Sequence, residues 1–230
     1  MVVIATGRPP RWIAPVVEQL GERGLVVCAN GATVYDPAAH EIVHRNDISA
    51  DVALSIVDDV QAAFPESLLG VEQGFDFGID EAMHASSFRF QDLIPDVNIA
   101  PIRSFLDSPV TKLIIRMPHP APAGTALRVQ EVVGDRALVT HSTNESFLEV
   151  SSPTAHKATT VEMLLVEHGV APEEVVAFGD MPNDLELIRW AGLGVAMANA
   201  HPQLLAEADL VTSSNDDDGV ARVLEDVVLS

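Results

Sequence analysis

The stretch that most constrains this chain is Gly179-Asp180-Met181-Pro182-Asn183-Asp184-Leu185-Glu186-Leu187, set directly behind the apolar run Val175-Val176-Ala177-Phe178. A short apolar run closed by glycine and polar residues reads as a buried strand, and Leu185 with Ile188 starts a helical spacing. Two carboxylates and a carboxamide therefore gather at the C-terminal end of a strand, which is where ligands bind in an open parallel sheet. Such hard oxygen donors suit Mg²⁺, which takes one or two protein carboxylates and completes its shell with water and phosphate oxygens. A helix cap is the competing explanation, since Asp and Asn cap helices. It accounts for one of the three polar residues.

The N-terminal end has a similar grammar. Met1 to Ala5 reads as a strand and Thr6-Gly7-Arg8-Pro9-Pro10 as a turn. Trp12, Ile13, Val16, Val17 and Leu20 make a helical stripe ended by Gly24. Leu25 to Ala29 is a second buried strand, and Asn30-Gly31 is a strong turn signal. Strand, helix, strand gives a parallel βαβ unit. Residues 33–150 differ in character. They suggest a hairpin around Asp36-Pro37, helices over 52–64 and 127–133, strands near 113–115, 137–139 and 147–150, and a loop-rich middle from Gly74 to Ser108. After 150 the alternation resumes, with a helix around Ala158–Leu165, the strand before Gly179, strands at 194–197 and 210–211, and a closing helix at 220–227. The expected fold is α/β: a doubly wound parallel core made of residues 1–32 and 151–230, interrupted by an inserted α+β domain at 33–150. Asp216-Asp217-Asp218 falls at the N-terminus of the closing helix, where negative charge is favourable, and reads as a cap rather than a metal site.

With 230 residues, of which 47% are apolar, the chain can bury a sizeable core. Its net charge of −21 argues against nucleic acid and anionic membrane surfaces as partners, because phosphate backbones demand Lys and Arg. An anionic substrate would need local cations or a metal to enter. The single cysteine, Cys28, sits in an apolar run and has no intrachain disulfide partner, which points to a reducing, cytoplasmic location. No stretch approaches a membrane span, and the apolar start is too short for a signal-peptide core.

Three places offer groups for phosphate. Thr6-Gly7-Arg8 supplies a hydroxyl and backbone N–H groups at a strand end, though Thr-Gly in a turn is usually only a turn. Lys157 supplies a compact point charge near a helix start, with an ordinary surface lysine as the alternative. Asp180, Asn183 and Asp184 form the third. Their combination is far more specific than any member. Ala5-Thr6-Gly7-Arg8-Pro9, Asn30-Gly31-Ala32, Lys157 and Gly179-Asp180-Met181-Pro182-Asn183-Asp184 together resemble the later motifs of the haloacid dehalogenase (HAD) superfamily, nearest its Cof-type sugar-phosphate phosphatases. Gly194-Val195-Ala196-Met197-Ala198-Asn199-Ala200 resembles the stretch that follows the fourth motif.

The resemblance implies a Rossmann-like core with an inserted α+β cap between second and third motifs, and Mg²⁺-dependent hydrolysis of small phosphorylated metabolites. It implies that Thr6, the Gly7 backbone, Arg8, Asn30, Lys157 and Asn183 bind phosphate or substrate. Lys157 and Thr6 would assist catalysis, and Asp180 with Asp184 would serve the metal. Asn199 is a further polar candidate. The family also carries Asp-x-Asp-Gly on a strand ahead of the second motif, its first Asp being the nucleophile. This chain starts at the second-motif strand, so the first βα unit and the nucleophile are expected to be absent from it, with the motif encoded in frame upstream. A non-catalytic phosphometabolite-binding or interaction protein on the same fold is the second expectation, and a phosphomutase the third. The oligomeric state is not legible.

Overall fold

The computed structural model describes residues 1–21, 23–86, 97–141 and 145–229. The chain divides into two compact units, Met1–Ala155 and His156–Ser230.

The first unit holds two sheets. In one, β1 (Val3–Ala5) pairs in parallel with β2 (Leu25–Cys28), and the antiparallel hairpin β3 (Thr33–Asp36) and β4 (Glu41–Arg45) extends it in the order β1-β2-β3-β4. The crossover from β1 to β2 is the short helix α1 (Ala14–Leu20); its Val17 and the preceding Ile13 pack on Val26 and Cys28. Gly21 ends that helix at φ 67°, a left-handed conformation glycine adopts without a Cβ penalty.

The second sheet has six strands in the order β7-β6-β5-β8-β10-β9. They are β5 (Leu68–Gln73), β6 (Asp76–Ile79), β7 (Val97–Ile99), β8 (Lys112–Arg116), β9 (Leu138–His141) and β10 (Phe147–Ser151). Side chains alternate across such a sheet. Leu69, Val71, Leu113, Ile115, Leu148 and Val150 meet the apolar stripes of α2 (Ala50–Ala63) and α4 (Thr125–Val133) on one face. Phe77, Ile79 and Ile114 face the other way and pack with Met83 of α3 (Glu81–Ala85). Burying both faces explains why these strands read as near-continuous apolar runs. The region read as loop-rich, 74–108, contains β6, α3 and β7 besides loop. Its strands are only four and three residues long, and Gly78 interrupts the apolar run of β6. Residues 87–96 of that region lie outside the described residues.

The second unit is a parallel three-stranded sheet, β11 (Val176–Gly179), β12 (Leu193–Ala196) and β13 (Leu210–Val211), in that order. Helices α5 (Lys157–Glu167), α6 (Leu185–Trp190), α7 (Pro202–Leu205) and α8 (Gly219–Val223) accompany it. The parallel α/β character expected of the core is present in both units.

Candidate functional site

In the first unit, Thr6, Gly7 and Arg8 leave β1 at its C-terminal end and are zipped to the turn that leaves β2. The Thr6 amide donates to the Val27 carbonyl at 2.8 Å, the Asn30 amide to the Thr6 carbonyl at 3.0 Å, and the Ala29 amide to the Arg8 carbonyl at 2.9 Å. The turn needs an unusual backbone: Ala29 and Asn30 both have positive φ, 53° and 60°. Asn tolerates that region well and Ala poorly, so the loop holds strain that its hydrogen bonds must offset. A Cβ at Gly7 would stand 3.0 Å from Asn30 Oδ1, so any larger residue there would push the Asn30 side chain aside. The Arg8 amide donates to Thr6 Oγ1 at 3.2 Å, so the hydroxyl hydrogen can be directed outward to an acceptor such as a phosphoryl oxygen. Arg8 itself is exposed.

In the second unit, the loop from β11 into α6 is organised by Asp184. Its Oδ1 accepts from Lys157 Nζ at 2.6 Å, and its Oδ2 accepts from the backbone amides of Asp180 and Met181, both at 3.1 Å. Lys157 and Asp184 are 6% and 8% exposed, so this is a buried, hydrogen-bonded ion pair. The pair sets the turn: Gly179 admits it because a Cβ there would lie 2.6 Å from Asp184 Cβ. The same turn leaves Asp180 and Asn183 exposed beyond the strand, and the Asp180 carbonyl is held by the His201 amide at 2.8 Å. Asn199 Oδ1 accepts from the Asn215 amide at 3.3 Å and so ties two loops of this unit together.

The acidic run 216–218 sits where expected, at the start of α8, but it does not cap by side-chain hydrogen bonding. Asp217 instead accepts from Ser214 Oγ at 2.8 Å, Asp216 from Asn215 Nδ2 at 3.0 Å, and Asp218 takes a left-handed conformation. Asp216-Asp217-Asp218-Gly219 spells Asp-x-Asp-Gly, yet it follows β13, two strands from β11 in the sheet that carries Asp180. The Asp80 carboxylate is used locally: its Oδ1 accepts from the Met83 amide at 2.7 Å and caps α3.

The donor set can be weighed against a metal. Among the described residues no group of three His, Cys, Asp or Glu side chains converges. Asp180 offers an exposed carboxylate, while both oxygens of Asp184 are already engaged. A sparse all-oxygen set fits Mg²⁺, which leaves most of its shell to water and phosphate, and does not fit zinc, which favours four close N or S ligands.

The sequence profile of the haloacid dehalogenase-like hydrolases matches residues 1–224. The chain belongs to that family. Among curated relatives of this haloacid dehalogenase-like hydrolase, the HMP-PP phosphatase of Enterobacter sp. is 28% identical over 90% of this chain and 74% of its own length. The 5-amino-6-(5-phospho-D-ribitylamino)uracil phosphatase YitU of Bacillus subtilis is 26% identical over 98% and 84%. Among solved structures, a haloacid dehalogenase-like hydrolase from Bacteroides thetaiotaomicron superposes with a TM-score of 0.80 at 26% identity, covering 97% of this chain and 85% of that one.

Residues 6–8 and 30 are brought together in one unit, and Lys157, Asp180, Asn183 and Asp184 in the other. Sequence reasoning missed Lys112, which reaches the Gly7 carbonyl from β8. It also missed Arg11, paired with Glu72 at 2.7 Å. A charge buried inside an otherwise apolar strand, as in Thr111-Lys112-Leu113-Ile114-Ile115, is the signal that could have pointed to Lys112.

Proposed function

We propose that this protein hydrolyses phosphate monoesters of small metabolites with Mg²⁺. The observation that carries the reading is Asp184: one buried carboxylate clamps Lys157 with one oxygen and the Asp180–Met181 backbone with the other, leaving Asp180 exposed at a strand end. Asp180 would hold the Mg²⁺, and Asp184 would fix the loop that presents it. The ion would supply positive charge against the phosphoryl oxygens. Thr6 Oγ1 and the loop amides at Gly7 and Arg8 would bind the phosphoryl group, with Arg8, Asn30 and Asn183 as further polar contacts. Lys157 would neutralise charge as the ester bond breaks. Phosphoryl transfer needs positioning and charge stabilisation above all, and these residues offer both. Residues 33–150 would act as the cap that selects the substrate, and 1–32 with 151–230 as the core. The relatives' named substrates, HMP-PP and a phosphoribitylamino-uracil, make phosphorylated cofactor precursors the first compounds to try, with sugar phosphates beside them. A cytoplasmic site of action is part of this proposal. Among the described residues, no helix is long and apolar enough to cross a membrane.

The test is phosphate release by the native protein, whose first residue is read from its intact mass, with and without EDTA. Asp180→Asn should abolish Mg²⁺-dependent release, and unchanged turnover would overturn the metal assignment. A second reading is a protein that binds phosphometabolites without hydrolysing them. It would be adopted if the native protein bound phosphate and released none.

A further inference from the structure

The second face of the six-stranded sheet is apolar around Ile114, yet it carries a line of charges. Glu72 of β5 lies directly opposite Lys112 of β8 in the antiparallel register, and Glu149 of β10 adjoins on the same face. Lys112 is 2% exposed and donates to Glu149 Oε2 at 2.6 Å. Its ammonium also donates to the Gly7 carbonyl at 3.3 Å. A buried ammonium demands partners, and this one takes a backbone carbonyl in the Thr6–Arg8 loop as one of them.

We propose that Lys112 is a positioning residue for phosphate binding, acting through the Gly7–Arg8 peptide on the Thr6 hydroxyl. This inference rests on the reading above in which that loop holds the phosphoryl group. The contacts form a chain. The Lys112 ammonium donates to the Gly7 carbonyl, the amide of the same peptide unit (Arg8 N–H) donates to Thr6 Oγ1, and the Thr6 O–H is left to donate outward. Each link polarises the next in the same sense, because a carbonyl that accepts from a cation makes its own amide a stronger donor. The hydroxyl at the end therefore becomes a better donor to an anion without Lys112 touching that anion. The charge also reaches the neighbouring strand end: the Cys28 thiol, whose pKa burial raises, is pulled part of the way back down by Lys112. A basic residue in the cap sheet thus tunes a loop of the core from below.

The test is titration of the ¹⁵N-labelled full chain with inorganic phosphate in the presence of Mg²⁺, following the Thr6, Gly7 and Arg8 amides. Lys112→Met combined with Glu149→Leu removes the charge without stranding its partner. It should weaken phosphate by about tenfold, as expected for losing a charge-assisted hydrogen bond. It should also move the Arg8 amide proton upfield before any phosphate is added. Lys112→Arg should restore most of both effects, which a purely space-filling role would not require. If the double variant does not fold, Lys112→Gln, a neutral donor, should give the same two losses. An affinity within about twofold of wild type, or an unmoved Arg8 amide, would overturn the proposal. If phosphate leaves the wild-type loop amides unmoved while the ligand-free Arg8 shift still responds to Lys112, the polarisation stands and the phosphate-binding reading falls.

Discussion

At the scale of single residues, the most consequential group is Asp184, because it is one carboxylate with three partners. Asp184→Asn keeps its shape but leaves Lys157 as a buried, unpaired ammonium. The expected loss is about 3 kcal/mol of stability, since breaking a buried pair costs far more than the pair contributes. Urea unfolding measures it, and Lys157→Met beside Asp184→Asn should recover part of the loss. Cys28 gives a second prediction. Burial raises its pKa from 9.0 to about 12. A folded-state pKa above the unfolded value means full stability below pH 9, lost progressively as pH climbs toward 12. Between those limits the wild type should lose up to about 1.4 kcal/mol per pH unit more steeply than Cys28→Ala, read from unfolding curves at stepped pH. Lys157, Asp180 and Asp184 were legible because each sits beside glycine or a helix start in a recognisable string. Lys112, Arg11 and Glu72 were not: their meaning comes from cross-strand register and from a loop arriving from another sheet, and neither leaves a local mark.

At the scale of elements, the β11–α6 junction depends on a missing side chain. Gly179→Ala would place a methyl 2.6 Å from Asp184 Cβ, with a helix start on one side and a strand on the other. The turn must open, at a cost of about 1–3 kcal/mol. Because Asp184 would shift off the Asp180 and Met181 amides, the Mg²⁺ affinity proposed for this loop should fall together with thermal stability, and calorimetric titration with Mg²⁺ reads the first loss. A Gly179→Ala protein with wild-type melting and metal affinity would contradict this account of the loop. The strands and helices themselves were readable wherever an apolar run had a clean ending: Gly24 before β2, Asn30-Gly31 after it, Gly169 before β11. The stretch from 74 to 108 was not. A four-residue strand broken by Gly78 has too few alternating positions to announce itself, and its pairing with β5 comes from a hairpin rather than from periodicity.

At the scale of the molecule, the first unit shows how its two sheets are tied together. Arg11 follows the Thr6–Arg8 loop, stacks at 5.0 Å on Trp12 and 4.8 Å on Phe77, and pairs with Glu72 in β5. Three atoms of that pair, Arg11 Nε and Nη1 and Glu72 Oε2, are buried with no hydrogen-bond partner. The pair therefore specifies attachment more than it stabilises. Arg11→Met alone should destabilise by about 3 kcal/mol by stranding Glu72, while Arg11→Met with Glu72→Leu should return to near wild type in urea unfolding. Cys28, the last residue of β2, packs under Ile13 and Val17, fully covered and alone of its kind. A thiol reagent can reach it only when α1 lifts off β2, so the labelling rate of the untouched protein is a clock for how often that helix opens.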